Sequence, residues 1–103
     1  MALKSHICEI LGIEYPILLA GMGGASIPAL AAAVSNAGGL GVLGAAACSP
    51  DQLRSWIRQT RELTDKPFGV NLITMHPDLF DLIAVLIAGI LAAAVLLLLP
   101  LLF

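Results

Sequence analysis

Residues 15–24, YPILLAGMGG, decide the fold class, because a short apolar run stops abruptly at a cluster of glycines. A strand that is buried on both faces has this near-continuous apolar pattern, which is typical of parallel sheets. The glycines suit a tight turn or a close approach of the backbone to a ligand. We therefore predict a buried strand over residues 15–20, followed by a loop.

The same kind of apolar run recurs twice further along the chain, and helical segments separate the runs. Residues 40–45, LGVLGA, and residues 68–73, FGVNLI, are the second and third predicted strands. A helix is predicted before the second strand, with Ser26 as its N-cap and Pro28 in its first turn. The pair Gly38-Gly39 is predicted to end this helix, because glycine readily adopts the left-handed conformation of a C-terminal cap.

The helix between the second and third strands has the clearest local signals in the chain. Ser49 can cap its N-terminus, Pro50 occupies the first helical position, and Gln52 completes a capping box. An apolar stripe follows at spacings of three and four residues, which predicts one buried face. The stripe consists of Leu53, Trp56, Ile57, Thr60 and Leu63.

This alternation of strands and helices predicts an α/β fold with a parallel sheet and right-handed connections. Doubly wound folds and (β/α)₈ barrels both begin in this way, and hydrophobic periodicity does not separate them. The chain has 103 residues, whereas a complete (β/α)₈ barrel has about 250. A barrel interpretation therefore describes only the opening β/α units, about three strands.

Charge and cysteine usage argue against several function classes. The net charge is −2, and the five Lys and Arg residues form no basic patch of the kind that nucleic-acid binding requires. Cys8 and Cys48 stand alone, without a partner at metal-ligand spacing. We therefore expect no nucleic-acid partner and no metal site.

Three motifs, in order, resemble the N-terminal region of the nitronate monooxygenases, formerly called 2-nitropropane dioxygenases. They are GIEYPILLAGMGG at residues 12–24, AAAVSNAGGLGVLG at 31–44 and DKPFGVNL at 65–72. The resemblance covers about residues 6–81. It implies that the chain holds the opening units of an FMN-dependent TIM barrel, a fold that the family shares with flavin-dependent enoyl-thioester reductases.

The resemblance also implies two places of flavin contact. Gly21, Met22 and Gly23 match the loop that lies against the flavin ring in the family, and Asn71 matches an Asn that hydrogen-bonds FMN. Both places follow predicted strands, at the end where this fold carries its active-site groups. From the residues alone, a tight turn and a strand-end cap remain alternative roles. No catalytic residue is assigned, because the family's catalytic His lies further downstream and His76 matches no catalytic position.

Residues 82–103 differ in kind from residues 1–81, so we predict a division of the chain at that point. Every residue of the segment except Gly89 and Pro100 is apolar, and none is charged. As a helix the segment would be about 33 Å long, close to the thickness of a bilayer core. A membrane anchor, a buried helix and a frame-shifted or misassembled gene end all remain open. An anchor would place residues 1–81 in the cytoplasm, where the resemblance also expects them.

The sequence thus predicts the N-terminal fragment of an FMN-dependent oxidoreductase that, in the intact family, oxidises alkyl nitronates with O₂. We expect the chain by itself to be inactive, because the catalytic and phosphate-binding motifs of the family lie downstream. One alternative is a fragment of a flavin-dependent enoyl-thioester reductase. The other is a small, non-enzymatic, membrane-anchored protein.

Overall fold

The computed structural model describes residues 5–89. Helices and strands alternate after a short first helix, as the sequence predicts. The elements are α1 (His6–Leu11), α2 (Pro28–Asn36), β1 (Gly41–Gly44), α3 (Pro50–Leu63) and β2 (Phe68–Asn71). Residues 79–89 are also helical.

Strands β1 and β2 form a parallel pair, in the register Gly41 to Phe68 through Gly44 to Asn71. The connection between them runs through α3, which is the crossover that a parallel pair requires. Helix α2 packs against β1, β2 and α3. The predicted α/β class and the parallel pairing are therefore confirmed for a partial barrel.

The first predicted strand, residues 15–20, is reduced to a single parallel bridge between Leu18 and Leu40. Its flanks are bonded elsewhere, which explains the short pairing. The N–H groups of Glu14 and Tyr15 both donate to the carbonyl of Gly38, and at the other end the Ala20 carbonyl accepts from two groups of the following turn. The prediction of a full strand here is wrong, although the segment does run parallel to β1.

The predicted N-cap of helix α2 is wrong, and its predicted C-terminal ending is confirmed. Its N-cap is Ile27, without a side-chain cap bond, so the prediction for Ser26 is wrong; Pro28 does occupy the first turn. At the other end, Gly38 has a φ of +105°. The N–H groups of Gly38 and Gly39 donate to the carbonyls of the last helical turn, which is the hydrogen-bond pattern of a Schellman motif.

Helix α3 follows its sequence signals closely. The Ser49 side chain accepts a hydrogen bond from the Gln52 N–H, at 3.1 Å. Leu53 and Thr60 of the predicted stripe are wholly buried, whereas Leu63 at the end of the helix is 54% exposed. The predicted stripe is therefore at least partly buried along most of the helix and is exposed in the last turn.

The main core lies between α3, the end of β1 and the helical residues 79–89. Ala45, Cys48, Leu53, Leu82 and Val85 form this buried cluster. Because it joins residues on both sides of position 81, the opening residues of the apolar segment pack with the α/β units. The predicted division at that position stays a prediction.

A long apolar helix over residues 82–103 is not supported by the described structure. Residues 82–89 are helical, whereas residues 90–103 lie outside the described range. Within the described range, no helix combines the length and apolarity that crossing a bilayer requires. Of the three explanations for the segment, the membrane anchor is thus not supported by residues 5–89.

The two faces of the parallel pair have different environments. A Cβ at Gly41 would meet the backbone of Ala31 in α2, so this side of β1 faces the helices. Leu43 lies on the same side and is wholly buried. By alternation, Val42 and Gly44 point to the opposite face, which is the face that a (β/α)₈ barrel turns toward its interior.

Candidate functional site

Residues 21–24, the glycine loop, form a tight turn that is stabilised by hydrogen bonds to the Ser26 hydroxyl. Ser26 is wholly buried. Its hydroxyl donates to the Ala20 carbonyl at 2.7 Å and accepts from the Met22 N–H at 3.0 Å. The N–H of Ser26 also donates to the Met22 carbonyl, at 2.8 Å. The turn therefore has a defined backbone shape despite its glycines.

The glycine loop lies directly over the carboxyl end of β1. A Cβ at Gly44, the last residue of β1, would overlap the Met22 carbonyl group and would come within 3.0 Å of the Gly23 nitrogen. The Gly44 N–H donates to the Ser26 carbonyl at 2.9 Å, which ties the turn to the strand. Only a residue without a side chain allows this close approach.

Asn71, the last residue of β2, lies next to the glycine loop. A Cβ at Gly21 would overlap the Asn71 side chain, with the Cγ atom at 2.9 Å and the Nδ2 atom at 3.1 Å. Asn71 pairs with Gly44 in the strand register, so its side chain lies on the same face as Gly44, opposite α2. The structure thus brings the predicted site residues Gly21, Met22, Gly23 and Asn71 together at one end of the sheet.

Several hydrogen-bonding groups at this end have no partner within residues 5–89. The Asn71 side chain is exposed there, and its amide bonds to no described residue, while its main-chain carbonyl accepts from the Ala45 N–H at 3.2 Å. The N–H groups of Gly23 and Gly24 also donate to no described acceptor. These donors and the Asn71 amide are available to a ligand that lies on the glycine loop.

Two cavities lie away from this site. One, of about 380 Å³, is at the amino end of the strands and is lined by Glu14, Ser35 and Lys66 among others. The other, of about 420 Å³, lies on the outer surface between α3 and residues 79–89. Neither is lined by the glycine loop or by Asn71, so neither belongs to the site that the sequence predicts.

The core beneath the site is apolar and encloses Cys48. Cys48 lies in the cluster with Ala45 and Leu53. Burial raises the pKa of the Cys48 thiol, because the thiolate would lose its hydration there. Both Cys8 and Cys48 are free thiols. Cys48 therefore packs in this core, and its burial disfavours the reactive thiolate form.

Comparison with known proteins agrees with this arrangement. A family model described as nitronate monooxygenase matches residues 4–96. The chain belongs to the nitronate monooxygenase family. The nitronate monooxygenase of Paraburkholderia phytofirmans is 54% identical over 78 residues, which are 76% of this chain and 21% of that protein. The Pseudomonas aeruginosa nitronate monooxygenase is 53% identical over 79 residues, 77% of this chain and 22% of that protein.

Two solved structures resemble the described part of this chain. FabK from Thermotoga maritima matches with a TM-score of 0.82 and 50% identity, over 84% of this chain and 28% of that one. Nitroalkane oxidase from Streptomyces ansochromogenes matches with a TM-score of 0.61 and 42% identity, over 71% of this chain and 21% of that one. The chain spans about a fifth of the length of the curated relatives that it matches.

The resemblance predicts flavin contact for Gly21 to Gly23 and for Asn71, but it does not predict the residues that support the glycine loop. The structure places Gly21 against Asn71, and the flavin contact itself stays a prediction. Ser26 was assigned to a helix cap, and Gly44 was not singled out. A signal for Gly44 does exist in the sequence, because a glycine that ends a buried strand indicates a close backbone approach.

Proposed function

We propose that this chain supplies the first flavin-contacting part of an FMN-dependent oxidoreductase barrel of the nitronate monooxygenase type. The observation that carries this proposal is the contact between the glycine loop and the Asn71 side chain at the carboxyl ends of parallel strands. In (β/α)₈ barrels, active-site groups occupy that end of the strands. Membership of the nitronate monooxygenase family supports the same position for the cofactor.

The residues present fit a flat, polar-edged ring system. The glycine loop carries no Cβ at Gly21, Gly23 or Gly24, so its backbone can approach such a ring closely. The Gly23 and Gly24 N–H groups, which have no acceptor within residues 5–89, can donate to the edge of the ring, and the Asn71 amide can both donate and accept. When bound, FMN would supply the electron transfer from an alkyl nitronate to O₂. The residues of this chain would hold and orient the ring.

We propose further that the 103-residue chain alone neither retains FMN tightly nor oxidises nitronates. Its two described strands leave backbone groups on the sheet edges without a neighbouring strand. No catalytic residue is assigned within the chain. Purification of the full chain with FMN, followed by an absorbance spectrum and an O₂-consumption assay with an alkyl nitronate, tests this. Stoichiometric bound flavin or nitronate-dependent turnover would contradict it.

A second candidate is a fragment of a flavin-dependent enoyl-thioester reductase, which shares the same opening motifs. One observation favours it: two relatives carry the name of a carboxyl-CoA dehydrogenase, including a Mycobacterium tuberculosis protein that is 39% identical over 87 residues. The same N-terminal region therefore occurs in proteins named for a CoA thioester. Reading the genomic DNA past the codon for Phe103 in all frames separates the candidates, because a glycine-rich, His-containing continuation favours nitronate oxidation.

The site itself can be tested in a chimeric barrel, in which residues 1–81 of this chain precede the remaining sequence of the Pseudomonas aeruginosa relative. The two proteins are 53% identical over the 79 residues that align, so we expect the chimera to fold. The proposal expects FMN to copurify with it and to bind the apo-protein reversibly. A folded chimera that does not bind FMN, beside a parent enzyme that does, would contradict the proposed function.

A further inference from the structure

Ser26 has a bonding pattern that its position before α2 does not require. Serine before a helix usually caps it, but the N-cap of α2 is Ile27 and no side chain caps that helix. The Ser26 hydroxyl is directed instead at Ala20 and Met22, at 2.7 and 3.0 Å. The side chain thus serves the segment that precedes it, not the helix that follows.

The glycine loop needs such an external support. Glycine has more backbone freedom than any other residue, and it has no side chain that could anchor it by packing. Met22, the one residue of the loop with a side chain, is 44% exposed. The loop is therefore shaped chiefly by hydrogen bonds, and Ser26 makes three of them, to Ala20 and to the N–H and carbonyl groups of Met22.

We propose that Ser26 is a positioning residue, which fixes the glycine loop in the conformation that faces FMN. This inference rests on the proposed function. The hydroxyl joins the end of the first predicted strand to the Met22 N–H, and the Ser26 carbonyl joins the loop to β1 through the Gly44 N–H. Loss of the hydroxyl leaves the Met22 N–H with the Ala20 carbonyl as its only described acceptor, at 3.0 Å.

Ser35 offers a matched control at the opposite end of the strands. Ser35 is 1% exposed and Ser26 is 0% exposed. The Ser35 hydroxyl also makes two hydrogen bonds, to the Pro67 carbonyl at 2.8 Å and from the Gly41 N–H at 2.9 Å. Replacing either serine by Ala removes one buried hydroxyl and two hydrogen bonds, so the two variants differ mainly in which end of the sheet they affect.

The first measurement is amide hydrogen exchange in the full 103-residue chain without flavin. We expect Ser26→Ala to speed exchange at the Met22 amide by about tenfold, since a hydrogen bond of that amide is lost. Ser35→Ala should leave Met22 exchange unchanged while it speeds exchange at Gly41. Equal Met22 exchange in the wild type and in Ser26→Ala would overturn the proposal.

The second measurement is FMN affinity in the chimeric barrel, determined beside melting curves. Ser26→Ala should weaken FMN binding by about tenfold and shift the flavin absorbance spectrum, whereas Ser35→Ala should lower the melting temperature and leave affinity unchanged. Ser26→Thr keeps the hydroxyl and should bind FMN more tightly than Ser26→Ala does.

The outcomes separate the two proposals. Unchanged FMN affinity in Ser26→Ala, in a chimera that binds FMN, would overturn the positioning role and leave the proposed function intact. A folded wild-type chimera that binds no FMN would refute the proposed function and, with it, the role of Ser26 toward the flavin. In that case Met22 exchange still shows whether Ser26 shapes the loop.

Discussion

The two ends of the parallel strands have similar serine hydrogen bonds but differ in how many of the nearby backbone groups are paired within residues 5–89. At each end a wholly buried serine, Ser35 or Ser26, makes two side-chain hydrogen bonds to the backbone. At the amino end these bonds join α2 to the starts of β1 and β2, and the polar groups satisfy one another. At the carboxyl end the bonds support a loop whose outer N–H groups have no described acceptor.

Such a difference is expected where one end of an α/β unit is packed into the fold and the other end carries a binding site. Hydrogen-bonding groups that are paired within the fold contribute to folding, whereas groups that stay available can contribute to a ligand. The glycines also differ between the side of the sheet that packs against α2 and the end that carries the glycine loop. Gly41 lets α2 approach the sheet, while Gly21 and Gly44 let the glycine loop approach Asn71 and β1.

The largest expected effect is on stability and concerns the helix side of β1. In Gly41→Ala the new Cβ would overlap the Ala31 backbone and lie 2.8 Å from the Ser35 Oγ atom. Helix α2 must then move away from β1, which should lower the free energy of unfolding by about 3 kcal/mol or more. Urea denaturation of the chimeric barrel measures this.

Gly69→Ala is the control for this substitution, because it adds the same methyl group to the neighbouring strand. Its Cβ would lie 3.6 Å from the Val42 Cγ2 atom, which is an ordinary contact. We expect a change of less than about 1 kcal/mol. Equal losses in Gly41→Ala and Gly69→Ala would show that strand glycines matter here for backbone freedom rather than for helix approach.

The next effect is on FMN binding and concerns the opposite face of β1. In Gly44→Ala the new Cβ would overlap the Met22 carbonyl group, so the glycine loop must lift from the strand. We expect FMN affinity in the chimera to fall at least about tenfold, because a displaced loop loses its contacts with the ring. A folded Gly44→Ala chimera with the affinity of the wild type would contradict a flavin role for the loop.

Much of the fold could be predicted because local signals and burial agree. The Ser49 cap, the Gly38-Gly39 ending and the stripe from Leu53 to Thr60 are short-range features that packing reinforces. The first strand could not be predicted at its true length, because its pairing depends on where the N–H groups of Glu14 and Tyr15 and the Ala20 carbonyl bond. The Gly38 carbonyl is distant along the chain and the partners of Ala20 lie in the following turn, and hydrophobic periodicity indicates neither.

Only the family resemblance predicts the site; the residue types alone do not. A glycine cluster and a strand-end Asn are consistent with many roles when each is considered alone. What indicates a shared site is the contact of Gly21 with Asn71, two residues that lie fifty positions apart in the sequence. Ser26 was misassigned because a serine two residues before a proline normally indicates a helix cap, and only the fold shows that its hydroxyl points back to Ala20.

The smallest expected effect is a pH dependence of stability in the core beneath the carboxyl end. Burial raises the pKa of the Cys48 thiol in the folded chain above its value in the unfolded chain. The contribution of the thiol to stability is therefore complete below its ordinary pKa of about 8.5 and is lost as pH rises through the folded value.

Melting curves from about pH 7 to about pH 10.5 test this in the full chain, with Cys48→Ala as the control. The wild type should lose more stability than Cys48→Ala across the alkaline part of the range. If the melting temperatures of the two proteins fall equally with pH, Cys48 ionises as freely in the folded chain as in the unfolded one. Water would then reach the core at this end.

The most direct test of a flavin-facing carboxyl end is an FMN titration of the Asn71→Ala apo-chimera, with melting curves recorded without flavin. The Asn71 side chain bonds to no described residue and lies against Gly21, so its loss should leave the apo-protein's melting temperature nearly unchanged. If Asn71 bonds FMN, the loss should weaken binding by roughly tenfold to a hundredfold, about 1–3 kcal/mol, and Asn71→Asp should weaken it too. Unchanged FMN affinity in both variants, together with lower melting temperatures, would instead show that Asn71 only caps β2.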